Sequence, residues 1–201
     1  MRIKLTIVSI LFLMTSFYSL TFGQVEQKKK TPEINVVYGD KHIFTVETPE
    51  GWINDKDNAQ KIGLVNFFYA KADTAIQQKS YLYANGYDKA SVNETLEEFI
   101  NVDLETYRKK YPDFKFQIER IEFTGGVKNG KLYSFSNLKD RYKEEVLYAE
   151  TEATIIVFAF SATTEGDYKR YQSVFDSFIK SFNYRGDNPN PFLDYINKKN
   201  K

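Results

Sequence analysis

Apolar positions along this 201-residue chain recur at two spacings, and the changes between them mark its elements. Alternation with period two, in stretches rich in aromatic and β-branched residues, predicts strands at Ile43 to Val46, Ile62 to Ala70 and Ser80 to Tyr87. Pro49 and Gly51 break the chain after the first of these, and Trp52, the single tryptophan, is expected to cover one end of the core. From Ser91 the period lengthens to about 3.6. Ser91 and Glu94 have the spacing of a capping box, Leu96, Phe99, Ile100, Leu104 and Tyr107 form an apolar stripe, and Pro112 stops the helix.

Four strands are predicted next, at Phe114 to Phe123, Lys131 to Leu138, Arg141 to Glu150 and Thr154 to Ala162. The apolar side changes partway along the first, which predicts a bulge or bend near Arg120. The last is apolar on both faces from Ile155 to Phe160 and is expected at the centre of a sheet. Short connections make antiparallel hairpins the economical topology. A closing helix carries the stripe Tyr168, Tyr171, Phe175, Phe178 and Phe182, with Val174 and Ile179 beside it.

The ends differ in composition. Residues 1–23 place Arg2 and Lys4 before an apolar run from Leu5 through Met14, then small and polar residues up to Gly23. This is the layout of a cleavable export signal, with the cut expected between Gly23 and Gln24. The apolar run falls short of the ~20 residues of a membrane span, so no stable insertion is expected after cleavage. With no Cys, a lipid-anchored form is excluded, and the expected location is periplasmic or secreted. Residues 24–41, with the run Lys28 to Lys30, read as a solvated linker ending in an edge strand at Ile34 to Tyr38. The domain proper is expected over 42–184. Residues 185–201 read as a polar tail in which Phe192, Leu193 and Ile196 suit a short docking turn. Arg185, Gly186 and Asp187 spell an adhesion tripeptide, but so short a match arises by chance.

Charge narrows the function classes. Cleavage removes Arg2 and Lys4 from the 28 basic residues, leaving 26 against 27 acidic, a net charge of −1. A nucleic-acid partner is not expected without a basic excess. The absence of Cys also removes thiol nucleophiles and Cys-based metal sites. His42 is the single histidine, beside Lys41 at a strand start, and is expected at the surface; multi-His zinc sites are ruled out. Asp55 and Asp57 raise a calcium-loop reading, but Ala59, Gln60 and Asn66 stand where that loop needs an oxygen ligand, Gly and Glu, so a polar loop is expected.

The segment from Gly125 to Leu132 resembles a phosphate-binding loop except that Leu132 replaces its Ser or Thr. A strand pattern follows it where a helix is required. Asn129 and Gly130 are instead the preferred pair of a two-residue hairpin turn, and Lys131 opens the next strand. Glu150 and Glu152 share a face if the strand continues, as do Glu144 and Glu150, but such carboxylates do acid/base work only where a cleft shifts one of them. No catalytic residue, cofactor or metal is assigned, and an enzyme is not expected. The candidate binding surface is Tyr81, Tyr83, Tyr87, Tyr142 and Tyr148, either as an open aromatic surface for protein or sugar or as a sheet covered by its helices.

The order of elements, from the strand leading to Pro49-Glu50-Gly51-Trp52 to the closing segment Thr154 to Phe182, resembles the PsbP-like superfamily, which includes a photosystem II extrinsic protein and a Ran-binding import factor. The likeness covers His42 to Tyr184. It implies an α+β fold: an α/β/α sandwich around an antiparallel sheet of about six or seven strands, with one long mid-chain helix and one C-terminal helix. It also implies a non-enzymatic accessory role, in which the partner is an unidentified envelope protein. The alternative is a small ligand, sugar or lipid, held in an aromatic cleft. Fold alone does not decide between them.

Overall fold

The computed structural model describes residues 31–73, 79–91, 93–121, 127–128, 130–191 and 198, with the side chain of Arg120 excepted. Residues 1–23, read as an export signal, the Lys28 to Lys30 run, Gly125, Asn129, and Phe192, Leu193 and Ile196, read as a docking turn, lie outside them. The chain forms β1 (Ile34–Tyr38), β2 (Ile43–Glu47), β3 (Trp52–Asn54), α1 (Lys56–Lys61), β4 (Phe68–Ala70), β5 (Ser80–Asp88) and α2 (Leu96–Lys110). It continues through β6 (Lys115–Ile121), β7 (Gly130–Ser136), β8 (Lys143–Glu150), β9 (Thr154–Ala162), α3 (Glu165–Lys180) and β10 (Asn183–Gly186).

Seven strands make one antiparallel sheet in the order β3-β4-β5-β9-β8-β7-β6. The strand that is apolar on both faces, β9, is the middle of the seven, and all of its residues are buried. A strand takes that position when neither of its faces tolerates water. Helix α2 covers one face, where Leu96, Ile100 and Leu104 meet Tyr133, Val146, Tyr148 and Val157. Helix α3 covers the other, where Tyr168, Tyr171, Phe175 and Phe178 meet Leu82, Leu147, Phe158 and Phe160. Both stripes point inward as their spacing predicts, and the result is the expected α+β sandwich. Each fully buried Phe on the α3 side contributes about 1.5–3 kcal/mol. Trp52 closes the end of that layer edge-on to Tyr171.

A second sheet, of order β1-β2-β10, packs on the α3 side through Val37, Phe44 and Val46. Its edge strand β1 is the one expected at the end of the linker. Strand β10 carries Arg185 and Gly186, read from sequence as part of the polar tail, into pairing with β2.

His42 joins the two sheets and corrects the surface assignment, being only 2% exposed. Its Nδ1 lies 2.7 Å from Asp88 Oδ1 at the end of β5, and its ring stacks on Phe44. Gly39 and Gly86 leave the space it fills: a Cβ on Gly39 would stand 2.4 Å from the ring and one on Gly86 2.3 Å. Asp88 Oδ2 accepts the Asp40 backbone N–H (2.8 Å), and Thr154 Oγ1 donates to the Lys41 carbonyl (3.1 Å). Only the fold brings Asp88, Gly86 and Thr154 to a histidine that the sequence places beside Lys41 at a strand start.

Four other local expectations are corrected. Thr95 and Glu98, rather than Ser91 and Glu94, form the capping box of α2. The Glu94 carboxylate accepts the Ala90 N–H (2.7 Å), which closes a separate turn before the helix. Asp55 caps the short α1, accepting the Asn58 N–H (3.0 Å), so the stretch read as a polar loop is helical and the strand expected from Ile62 is reduced to β4. No bulge interrupts β6: its register against β7 is continuous from Lys115↔Ser136 to Ile121↔Gly130. Gly130 is therefore a strand residue paired with Ile121, and that pairing excludes a two-residue turn at Asn129 and Gly130. Lys131 reaches Glu97 Oε1 and Oε2 at the start of α2 (2.6 and 2.7 Å).

Candidate functional site

The five tyrosines do not share one open surface. Tyr81, Tyr83 and Tyr87 alternate along the α2 side of β5, and Tyr148 lies on the same side of β8. Tyr83 packs into the α2 layer. Tyr148 is fully buried and donates to Asp103 of α2, and burial pushes its phenol far above the usual tyrosine range. Tyr87 is half-exposed against Phe99 at one end of the sheet, while Tyr142 is half-exposed against Tyr168 at the other. On this face α2 covers Tyr83 and Tyr148 but leaves Tyr87 exposed.

Tyr81 belongs to a buried ionic group. Its hydroxyl accepts from Arg141 Nη1 (2.5 Å), which also donates to Glu144 and to Ser161 Oγ (3.2 Å), while Arg141 Nε donates to Asp140 Oδ1 (3.1 Å). Burial raises Glu144 above the usual carboxylate range despite the guanidinium beside it. Burial and the Glu144 charge push the Tyr81 phenol up to about 12. Arg141 thereby ties the turn before β8 to Tyr81 of β5, Glu144 of β8 and Ser161 of β9. Glu150 sits at the other end of β8 and accepts from the buried Lys89 Nζ (2.7 Å), while Glu152 is exposed. Glu144 and Glu150 are thereby held in separate ion pairs at opposite ends of β8, and Glu152 lies beyond the strand.

One margin of the large sheet, β6, is open along most of its length. Lys115, Phe116, Gln117, Ile118 and Glu119 are all exposed, with Phe116 at 38% and Ile118 at 51%. Among the described residues β6 has a single strand neighbour, β7, so the amides and carbonyls of its outer side face no strand. Phe116 lies against Phe114, Tyr133 and Phe135, continuing the aromatic layer beyond the cover of α2.

A cleft of about 650 Å³ adjoins this margin. The register places Lys115, Ser136 and Lys143 side by side across β6, β7 and β8, with Gln117, Ser134 and Glu145 as the next row. Lys143 Nζ is 3.1 Å from the Tyr168 hydroxyl and 4.5 Å above its ring. Lys115 has no ion-pair partner among the described residues. Asn137, in the left-handed region at φ 63°, donates to the Asp113 carbonyl (2.6 Å) and shapes the wall where β7 ends. Tyr142 is the one member of the sequence-read surface that lines this cleft. Cross-strand register alone assembles the rest, and the single sequence signal for it was the irregular alternation of the 114–123 segment.

No family profile and no curated protein matches the chain. Among solved structures it is similar to cyanobacterial PsbP (CyanoP) from Synechocystis sp. PCC 6803, at TM-score 0.49 and 16% identity, covering 79% of this chain and 96% of that one. It is also similar to the Saccharomyces cerevisiae Ran-binding protein Mog1p, at TM-score 0.40 and 11% identity, covering 76% of this chain and 96% of that one. These are proteins of the groups that the order of elements resembles.

Proposed function

We propose that this chain is an exported, non-catalytic protein-binding module of the cell envelope, and that it docks an extended segment of its partner along β6. One observation carries the reading: a sheet margin with Phe116 and Ile118 exposed and the outer side of the strand without a neighbour. Strand addition uses such a margin, with backbone hydrogen bonds supplying affinity and alternate side chains supplying specificity. Export is supported by the N-terminal layout of residues 1–23. A non-catalytic role is supported by the pairing of Glu144 with Arg141 and of Glu150 with Lys89 within the fold.

A second reading, a small anionic or sugar ligand, is favoured by the cleft with Lys115, Lys143, Ser136 and Tyr142 on its walls. The readings separate by photo-crosslinking in cells. A photoreactive residue at position 118 is expected to give a discrete protein adduct that the same residue at the exposed helical position Val102 does not. No adduct at 118, together with a thermal shift produced by a charged sugar and lost in Lys143→Ala, overturns docking in favour of the ligand.

A further inference from the structure

We propose that the strand β6 accepts is β6 of a second copy of this chain, paired antiparallel about a two-fold axis at Gln117. The inference rests on the reading of β6 as a docking margin and names the partner.

Strand β6 is complementary to its own reverse. An isologous pairing sets residue i opposite j and j opposite i, so the strand must match its own reverse. Centred on Gln117, Lys115 of each copy stands opposite Glu119 of the other, and Phe116 opposite Ile118. Opposed residues in antiparallel strands lie on the same face. The charged pairs therefore fall on the α3 side, in line with Ser136 and Leu132 of β7, and the apolar pairs fall on the α2 side, in line with Phe135 and Tyr133. Both exposed apolar side chains are covered by the same event, twice over.

Neighbouring registers lose this match. Centring on Ile118 puts Lys115 opposite Ile121 and Gln117 opposite Glu119, leaving both charges without counterparts. A slip by one residue opposes side chains of different faces. Edge strands that resist pairing carry charges that oppose like charges or point inward. Among the described side chains of β6 the two exposed charges, Lys115 and Glu119, are of opposite sign and equidistant from Gln117, which makes them attractive across the axis. Because that axis is normal to the sheet, the two seven-stranded sheets join into one with both α2 layers on the same side.

The test is sedimentation equilibrium of the full chain with charge-swap variants. The wild type is expected to dimerise. Lys115→Glu and Glu119→Lys each place two like-charge pairs across the axis and are expected to weaken the dimer about tenfold or more. The double swap Lys115→Glu/Glu119→Lys restores the opposite pairs and is expected to restore the dimer, which separates a broken interface from a broken fold. A chain that stays monomeric at millimolar concentration, or a dimer indifferent to all three variants, overturns the inference. The crosslink at position 118 keeps the two proposals apart. An adduct of twice the chain mass supports self-pairing. An adduct of another mass from a monomeric chain overturns self-pairing and leaves docking standing, and no adduct of any mass overturns both.

Discussion

Gly86→Ala is a small substitution for which the structure forecasts a large effect. Gly86 sits in β5, and a Cβ there would stand 2.3 Å from His42 Nε2 and 2.6 Å from Cδ2. The imidazole has nowhere to retreat. Its Nδ1 is held 2.7 Å from Asp88, its face stacks on Phe44, and its far side is already within 2.4 Å of where a Gly39 Cβ would be. Overpacking of this kind costs about 1–3 kcal/mol. If the ring swings away, the hydrogen bond to a carboxylate is lost as well, about 1.5–3 kcal/mol. An expected loss of about 3 kcal/mol is a large share of the ~5–15 kcal/mol stability of an ordinary domain. Equilibrium urea unfolding measures it, and His42→Ala completes a double-mutant cycle. Removing the ring leaves room for the methyl added at position 86, so the double variant should be less destabilised than the sum of the singles by about 1–2 kcal/mol. A Gly86→Ala protein within ~0.5 kcal/mol of wild type, or strictly additive effects, would refute the argument that the ring is wedged between the two glycines.

Three further outcomes follow from partners already described. For Asp88, burial alone would raise the carboxyl, but the His42 hydrogen bond and the Asp40 backbone N–H outweigh it and hold the group below the usual carboxylate range. Its contribution is therefore complete above about pH 4 and lost as pH falls through the depressed value, so acid unfolding followed by circular dichroism should lose part of its dependence in Asp88→Asn. With the Tyr81 phenol raised to about 12 by burial and the Glu144 charge, the native state keeps a proton that the unfolded chain releases near pH 10. Stability should fall between about pH 10 and 12, and Tyr81→Phe should flatten that limb in alkaline unfolding. Thr95→Ala removes the hydroxyl that accepts the Glu98 N–H (3.2 Å) and should cost about 1 kcal/mol in thermal unfolding, while Ser91→Ala, outside the cap, should cost less than half of that.

Legibility from sequence tracked the range of the forces involved. The stripes of α2 and α3 were readable because each is a property of one helix and its core-facing side. The central position of β9 was readable because an all-apolar strand excludes every edge position. The capping box was misplaced by one turn because Ser91/Glu94 and Thr95/Glu98 satisfy the same local pattern. Packing chose between them by starting the helix at Leu96, the first residue to reach the core. The tyrosines of β5 and β8 were legible as a shared face, but whether a helix lay over that face was not.

Residue spacing by itself thus determined the kinds of elements, their order and the faces they bury, since periodicity and turn chemistry act over a few neighbouring residues. Only tertiary structure decided that His42 is enclosed by Gly39, Gly86 and Asp88, that β1, β2 and β10 form a sheet of their own, and that β6 closes the large sheet with Phe116 and Ile118 uncovered. Each of these depends on which strand lies beside which and in what register. That choice is made by burying the whole apolar set at once, and no local stretch of sequence contains it.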